Sequence, residues 1–97
     1  MHSVNRMIVA RKFLISGEVQ GVGFRFFAQR SAARHQVWGY VRNLDDGRVE
    51  AFAQGSEPAV EAFKHDLTAG PTYSSVEKLE EIVLEPTQTF ASFRIER

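Results

Sequence analysis

The sequence predicts an α+β sandwich in which two helices cover one face of an antiparallel sheet. Apolar residues alternate with polar ones over several short segments, as half-buried strands require. In two other segments they recur every three or four residues, as in amphipathic helices. The order of these segments is β-α-β-β-α-β with an extra C-terminal strand, which is typical of a ferredoxin-like sandwich.

The first half of the chain predicts a strand, a helix and a hairpin. Residues 9–19 alternate apolar and polar side chains, and a helical spacing begins at Phe24, directly after two glycines. Residues 37–44 and 48–54 alternate again, and the turn signal Asp45-Asp46-Gly47 stands between them. Strands two and three should therefore pair with each other.

The second half of the chain predicts another helix and two final strands. Gly55 is expected to end the third strand, and Ser56 can cap a second helix that closes at Gly70. Residues 76–84 and 90–96 then alternate around a proline-containing turn, so they are expected to form a final strand pair.

Length and composition indicate one small domain. The chain has 97 residues and no cysteine, which excludes disulfides, thiolate catalysis and cysteine metal sites. No apolar run approaches the roughly 20 residues of a bilayer span, and residues 1–12 lack the apolar core of a signal peptide. We therefore expect an N-terminal tail over residues 1–8, a single domain over residues 9–97, and a cytoplasmic protein that binds no membrane.

The charges of the chain balance overall but not along its length. The net charge of zero argues against binding of nucleic acid through bulk charge. However, residues 1–48 carry eight basic and three acidic side chains, whereas residues 49–97 carry four and nine. An anion-binding site is therefore expected in the first half.

The segment between strand one and helix one has the features of an anion site. Gly21 and Gly23 permit backbone angles that a Cβ would exclude, so successive N–H groups can converge where the helix begins. The helix terminus adds unsatisfied N–H groups and a positive dipole end. Arg25 adds a planar fork of donors suited to phosphate oxygens. A G-x-G pair alone would indicate only a tight turn, so the wider motif has to decide.

Three segments of the chain together resemble the acylphosphatase family: GEVQGVGFRFFAQRSA, GYVRNLDDGRVEAFAQG and LTAGP. The resemblance extends from about residue 13 to residue 93. It implies an enzyme that hydrolyses the carboxyl-phosphate bond of a small acyl phosphate, with inorganic phosphate as product and competitive inhibitor. We expect no cofactor, no metal ion, no nucleic-acid partner and a monomer.

The resemblance also implies roles for individual residues. The phosphate group would be held by the side chain of Arg25 and by the backbone amides of Gln20, Gly21, Val22, Gly23 and Phe24. Asn43 would orient the attacking water. A carboxylate leaves without a strong general acid, so positioning and charge stabilisation are the main tasks of the enzyme. The family's mechanism implies that the proton of the water passes to the phosphate itself.

Three positions depart from the family's pattern. Gln36 follows helix one where a glycine is common, so it should be strained by roughly 1 kcal/mol in a left-handed conformation unless the helix ends differently. Arg97 replaces an aromatic ending, which leaves open whether the C-terminus helps the site. Tyr40 replaces a tryptophan and should preserve the packing.

Other functions are weighed against hydrolysis. A phosphate-sensing module would keep the phosphate-binding loop without turnover. An RNA-binding domain would need aromatic and basic residues on strands one and three, which the sequence does not supply. The head domain of a larger carbamoyl-transferring protein would be followed by cysteine-rich zinc segments, so we expect a stand-alone enzyme. The histidines, His2, His35 and His65, lack metal-ligand spacing.

Overall fold

Five strands form a single sheet in the computed structural model, which describes residues 7–86 and 92–97. The strands are β1 (Ile8–Glu18), β2 (Trp38–Asn43), β3 (Val49–Ser56), β4 (Ser75–Leu84) and β5 (Phe93–Glu96), and the helices are α1 (Phe24–His35) and α2 (Glu57–Ala69). The order of the strands across the sheet is β4-β1-β3-β2-β5. The prediction of a ferredoxin-like α+β sandwich is confirmed.

The ends of most elements lie within one or two residues of their predicted positions. The end of β3 is corrected, because Gly55 does not terminate the strand but pairs with Val9 of β1, and β3 continues to Ser56. Ser56 is also the N-cap of α2, where its Oγ accepts a hydrogen bond from the Ala59 N–H at 3.3 Å. The strand and the helix therefore follow each other without a loop.

The last two strands do not pair with each other. β4 pairs antiparallel with β1 at one edge of the sheet, whereas β5 pairs parallel with β2 at the other edge. The sheet is therefore mixed, and the expectation of a final strand pair is corrected. Each of the two strands covers a backbone edge that would otherwise lack hydrogen-bond partners. Residues 1–6 of the predicted tail and residues 87–91, which include Phe90 of the predicted last strand, lie outside the described residues.

Both helices pack on one face of the sheet over a core rich in phenylalanine. The rings of Phe13 on β1, Phe63 on α2 and Phe93 on β5 contact in series, with centroid distances of 6.3 and 5.4 Å. All three side chains are buried, whereas Phe27 of α1 is only half-buried. On the opposite face, Tyr40 stacks on Phe52 at 5.8 Å. The core contact of Phe93 helps to fix β5, which has only four residues.

A carboxylate joins the two helices. The Asp66 Oδ2 of α2 accepts hydrogen bonds from Ser31 Oγ at 2.7 Å and from Arg34 Nη2 at 2.8 Å, and it lies 3.0 Å from His35 Nε2. Burial raises the pKa of Asp66, but the hydrogen bonds outweigh burial and hold this pKa below its ordinary value. The ionised Asp66 carboxylate therefore stabilises the folded protein above about pH 4, and this stabilisation is lost as the pH falls through the lowered pKa.

Helix α1 ends on a residue in the left-handed conformation. Gln36 has φ 60° and ψ 49°, and it is the one non-glycine residue with positive φ in the part of the chain that the structure describes. Its N–H donates to the Ala33 carbonyl, and the N–H of Val37 donates to the Ala32 carbonyl at 2.8 Å. These two hydrogen bonds complete a Schellman motif. The structure therefore shows Gln36 in the strained left-handed conformation, and the helix does not end in another way.

Gln36→Gly should raise the free energy of unfolding by about 0.5–1 kcal/mol. Glycine adopts the left-handed conformation without a steric cost, and its larger entropy in the unfolded chain offsets part of that gain. Denaturant unfolding of both proteins measures the difference. Gln36→Ala keeps the Cβ and should bring no gain, so an equal gain in the alanine variant would contradict the assignment of the strain to the backbone.

Candidate active site

The carboxyl ends of three strands lie at the same end of the sheet. β1 and β2 both run antiparallel to β3, and β5 runs parallel to β2. Glu18, Asn43 and Glu96 therefore end their strands on the same side. The loop after β1 leads directly into α1, so the N-terminus of that helix lies at this end of the sheet as well. The fold thus brings together segments that are far apart in the sequence.

The loop of residues 19–23 turns the chain from β1 into α1. Gly21 and Gly23 have φ values of 76° and 79°, and Gly23 is the N-cap residue of the helix, with no side-chain cap. The Phe27 N–H donates to the Gly23 carbonyl at 3.0 Å. The N–H groups that precede it in the first turn have no acceptor within the helix. The predicted convergence of backbone donors is thus compatible with the observed backbone.

A cavity of about 170 Å³, which we call the loop cavity, opens at this end of the sheet. It is lined by Val19, Gly21, Gly23, Phe24, Arg25, Phe26 and Asn43. It therefore brings together Arg25 of the helix and Asn43 of β2 with three of the loop and helix residues predicted to bind phosphate. Gln20 and Val22 are not among the lining residues, and Val22 packs against the hydrophobic core.

The side chain of Gln20 joins the loop to the β2–β3 hairpin. Its Nε2 donates to the Leu44 carbonyl at 2.8 Å and to the Arg48 carbonyl at 2.9 Å. These residues flank the hairpin turn, and the Leu44 N–H donates to the same Arg48 carbonyl. Because Leu44 follows Asn43 directly, the Gln20 amide links the loop to the strand end that carries Asn43. The sequence pointed to the backbone N–H of Gln20 and gave no signal for this side-chain contact.

Arg25 extends from α1 to β5. Its Nη1 donates to the Glu96 carbonyl at 3.3 Å, and the side chain is half-buried. None of the ion pairs found within residues 7–86 and 92–97 includes Arg25, so no carboxylate there neutralises its charge. The C-terminal strand thus contacts the site through a main-chain carbonyl and not through the side chain of Arg97.

Asn43 is the last residue of β2 and pairs with Val49 of β3. It lines the loop cavity, and its side chain makes no hydrogen bond to any residue that the structure describes. A carboxamide offers one acceptor oxygen and two N–H donors. Asn43 therefore has hydrogen-bonding capacity available for a water molecule or a substrate.

The acidic residues of the hairpin turn do not line the loop cavity. Asp45 and Asp46 lie in the turn, as predicted. The Asp46 carboxylate accepts hydrogen bonds from the Arg48 backbone N–H at 3.1 Å and from Arg48 Nε at 2.9 Å. The backbone hydrogen bond is the main reason that the pKa of Asp46 lies below its ordinary value. The Asp46 charge is thus compensated by Arg48.

Two other features of the described residues do not suit an anion or a metal ion. No cluster of three His, Asp or Glu side chains there could hold a metal ion. His35 contacts Asp66, His65 is exposed on α2, and His2 lies outside the described residues. A wider groove of about 710 Å³ along the C-terminal half of α1 has no charged residue in its lining, so it does not suit an anion. None of the described helices is long and apolar enough to cross a membrane.

Comparison with known proteins identifies relatives over almost the whole chain. The acylphosphatase family model matches residues 11–95. A protein of Solibacter usitatus named acylphosphatase is 45% identical over 86 residues, which cover 89% of this chain and 88% of that protein.

Solved structures agree with the sequence comparison. The crystal structure of acylphosphatase from Bacillus subtilis has a TM-score of 0.89 at 34% identity, covering 94% of this chain and all of that one. HypF from T. kodakarensis has a TM-score of 0.81 at 33% identity, but the match covers 92% of this chain and only 12% of HypF. The family match and the identities together show that this chain belongs to the acylphosphatase family.

Proposed function

We propose that this chain hydrolyses the carboxyl-phosphate bond of small acyl phosphates, giving a carboxylate and inorganic phosphate, with no metal ion or cofactor. Membership of the acylphosphatase family supports the class of reaction. The observation that carries the proposed site is the loop cavity, which Arg25 and Asn43 share with the N-terminus of α1.

The phosphate group binds at the loop and at the start of α1 in this proposal. The backbone N–H groups of residues 20–24 donate to the phosphate oxygens, and the positive end of the helix dipole favours the negative charge. Gln20 and Val22 bind the phosphate only through their main-chain N–H groups. The Arg25 guanidinium is held on one side by the Glu96 carbonyl, and its remaining N–H groups make a two-pronged contact with the phosphate. Inorganic phosphate binds the same donors and is therefore a competitive inhibitor.

The Asn43 side chain holds the attacking water. Its amide oxygen accepts a hydrogen bond from the water and keeps the water oxygen in line with the bond to be broken. The bond from the water oxygen to phosphorus forms while the bond from phosphorus to the carboxylate oxygen breaks. The lining of the loop cavity contains no Asp, Glu or His. The proton of the water therefore passes to a phosphate oxygen, and the leaving carboxylate needs no acid.

Purified protein should release phosphate from benzoyl phosphate in the presence of EDTA, because the positive charge of the site comes from Arg25 and the backbone.

Arg25→Ala should lower kcat/KM about 10²-fold or more and weaken inhibition by phosphate. Arg25→Lys should restore little, since an ammonium group cannot make the planar two-pronged contact. Initial rates and phosphate inhibition constants measure all three effects.

Each contrary result in this experiment has a distinct meaning. Activity that is lost in EDTA and restored by a divalent ion would contradict the metal-free mechanism. Near-native kcat/KM in the lysine variant would contradict the two-pronged contact. Phosphate binding without any turnover would favour the phosphate-sensing module over the enzyme.

Asn43→Asp tests whether position 43 holds water or acts as a base. If position 43 acted as a base, a carboxylate there would work as well as the amide or better, because a carboxylate is the stronger base. We expect instead that Asn43→Asp and Asn43→Ala both lower kcat about 10²-fold or more, because the carboxylate would lie beside a phosphate of about two negative charges. Phosphate should bind the alanine variant near normally and the aspartate variant more weakly as the pH rises from about 4 to 7. Native turnover in the aspartate variant would contradict a neutral water-holding role.

Gln20→Ala tests whether the side-chain amide positions Asn43. The variant keeps the backbone N–H but loses both hydrogen bonds to the hairpin. We expect kcat to fall about tenfold or more while the phosphate inhibition constant changes little, because misplacement of a positioned group costs rate. Gln20→Met, of similar length without a donor, should behave like the alanine variant. In the double variant with Asn43→Ala, the loss of Gln20 should have little further effect. Independent, multiplicative effects would contradict the positioning role.

A further inference from the structure

One side chain of the loop cavity has no task in the proposed reaction. Phe26 lies in the first turn of α1, next to Arg25, and lines the same cavity. It is 66% exposed. A single exposed aromatic residue is common on protein surfaces and indicates nothing alone. The position of Phe26 at the opening of the proposed active site is what makes its exposure informative.

The other apolar side chains of the cavity lining are not accessible to a substrate. Val19 and Phe24 are 1% and 2% exposed, because both belong to the hydrophobic core. The two glycines of the lining have no side chain. Among the described residues that line the loop cavity, Phe26 is therefore the one whose apolar surface is free to contact a ligand.

The geometry of the reaction determines where the acyl group must lie. The attacking and leaving oxygens lie roughly in line through phosphorus, so the acyl group projects away from the water. The proposed mechanism places the water at Asn43, which belongs to the sheet, whereas Phe26 belongs to the helix. Arg25 and the backbone N–H groups of the loop bind the phosphate oxygens. In the proposed reaction, the acyl group is therefore placed on the side away from Asn43, toward Phe26 and the solvent.

We propose that Phe26 contacts the acyl group and makes the enzyme favour acyl phosphates with an aromatic or bulky apolar acyl group over those with a short one. This inference rests on the proposed function. Aromatic rings gain from mutual contact in addition to the area that they bury. An acetyl group has too little surface to gain much from the same ring.

The test compares kcat/KM for benzoyl phosphate with kcat/KM for acetyl phosphate in four proteins, the unchanged one and three variants. Phe26→Ala should lower the benzoyl-to-acetyl ratio about tenfold, with Phe26→Leu in between, because leucine keeps apolar area but loses the ring. Tyr73→Ala is the matched control: Tyr73 is 84% exposed, follows α2 and does not line the loop cavity. Its ratio should equal that of the unchanged protein.

The outcomes separate this inference from the proposed function. If the unchanged protein hydrolyses both substrates and Phe26→Ala leaves the ratio unchanged, Phe26 does not contact the acyl group, whatever happens to the individual rates. An equal change of the ratio in Tyr73→Ala would also overturn the inference. If the unchanged protein hydrolyses neither substrate, the proposed function fails, and the role of Phe26 fails with it. The phosphate inhibition constant of Phe26→Ala reports whether the phosphate-binding loop is intact.

Discussion

The two hydrogen bonds of the Gln20 side chain connect the halves of the site. The loop and α1 carry the proposed phosphate-binding groups, whereas the hairpin carries the residue that we assign to the water. Nε2 donates both hydrogen bonds to main-chain carbonyls, at the short distances of 2.8 and 2.9 Å. A neutral hydrogen bond adds only about 1 kcal/mol to stability. The value of this pair is geometric, since in-line attack tolerates little displacement of the water from the phosphate.

The sequence predicted those parts of the structure that local patterns determine. The start of α1 follows from the glycines before Phe24 and from the helical spacing after them, and the hairpin follows from its turn residues. The edge that β5 would join was not predictable in this way. Pairing with β2 depends on which strand edge is free and on the burial of Phe93, and both are properties of the assembled sheet.

The contacts within the site show the same limit. Gln20 bonds to residues 24 and 28 positions away, and Arg25 bonds to a carbonyl 71 positions away. No spacing rule connects such partners, so the sequence indicated the candidate residues but not the contacts that hold them. Phe26 was missed for a different reason. It lies outside the three- and four-residue spacing of the apolar side chains of the helix, and a lone exposed aromatic residue indicates no role until the structure places it at the cavity.

Charge explains why one arginine in particular marks the site. The first half of the chain carries the basic excess, but most of its basic side chains have carboxylate partners. Such pairs are formed by Arg11, Lys12, Arg34, Arg42 and Arg48. Arg25 and Arg30 form none with described residues, and of these two Arg30 is exposed to solvent whereas Arg25 is half-buried in the loop cavity. A partly desolvated cation without a counterion attracts an anion more strongly than a solvated one. The local charge at Arg25, and not the bulk charge of the chain, is therefore what supports the proposed phosphate site.

The neutrality of the remaining cavity lining completes this argument. A carboxylate opposite Arg25 would pair with it and compete with the phosphate for the same donors. The acidic residues nearest in sequence to Asn43 avoid this, because Asp46 bonds to Arg48 within the turn and neither turn aspartate lines the cavity. An amide at position 43 can hold a water without adding charge. The same charge distribution that leaves Arg25 available for an anion therefore favours asparagine over aspartate at the position that we assign to the water.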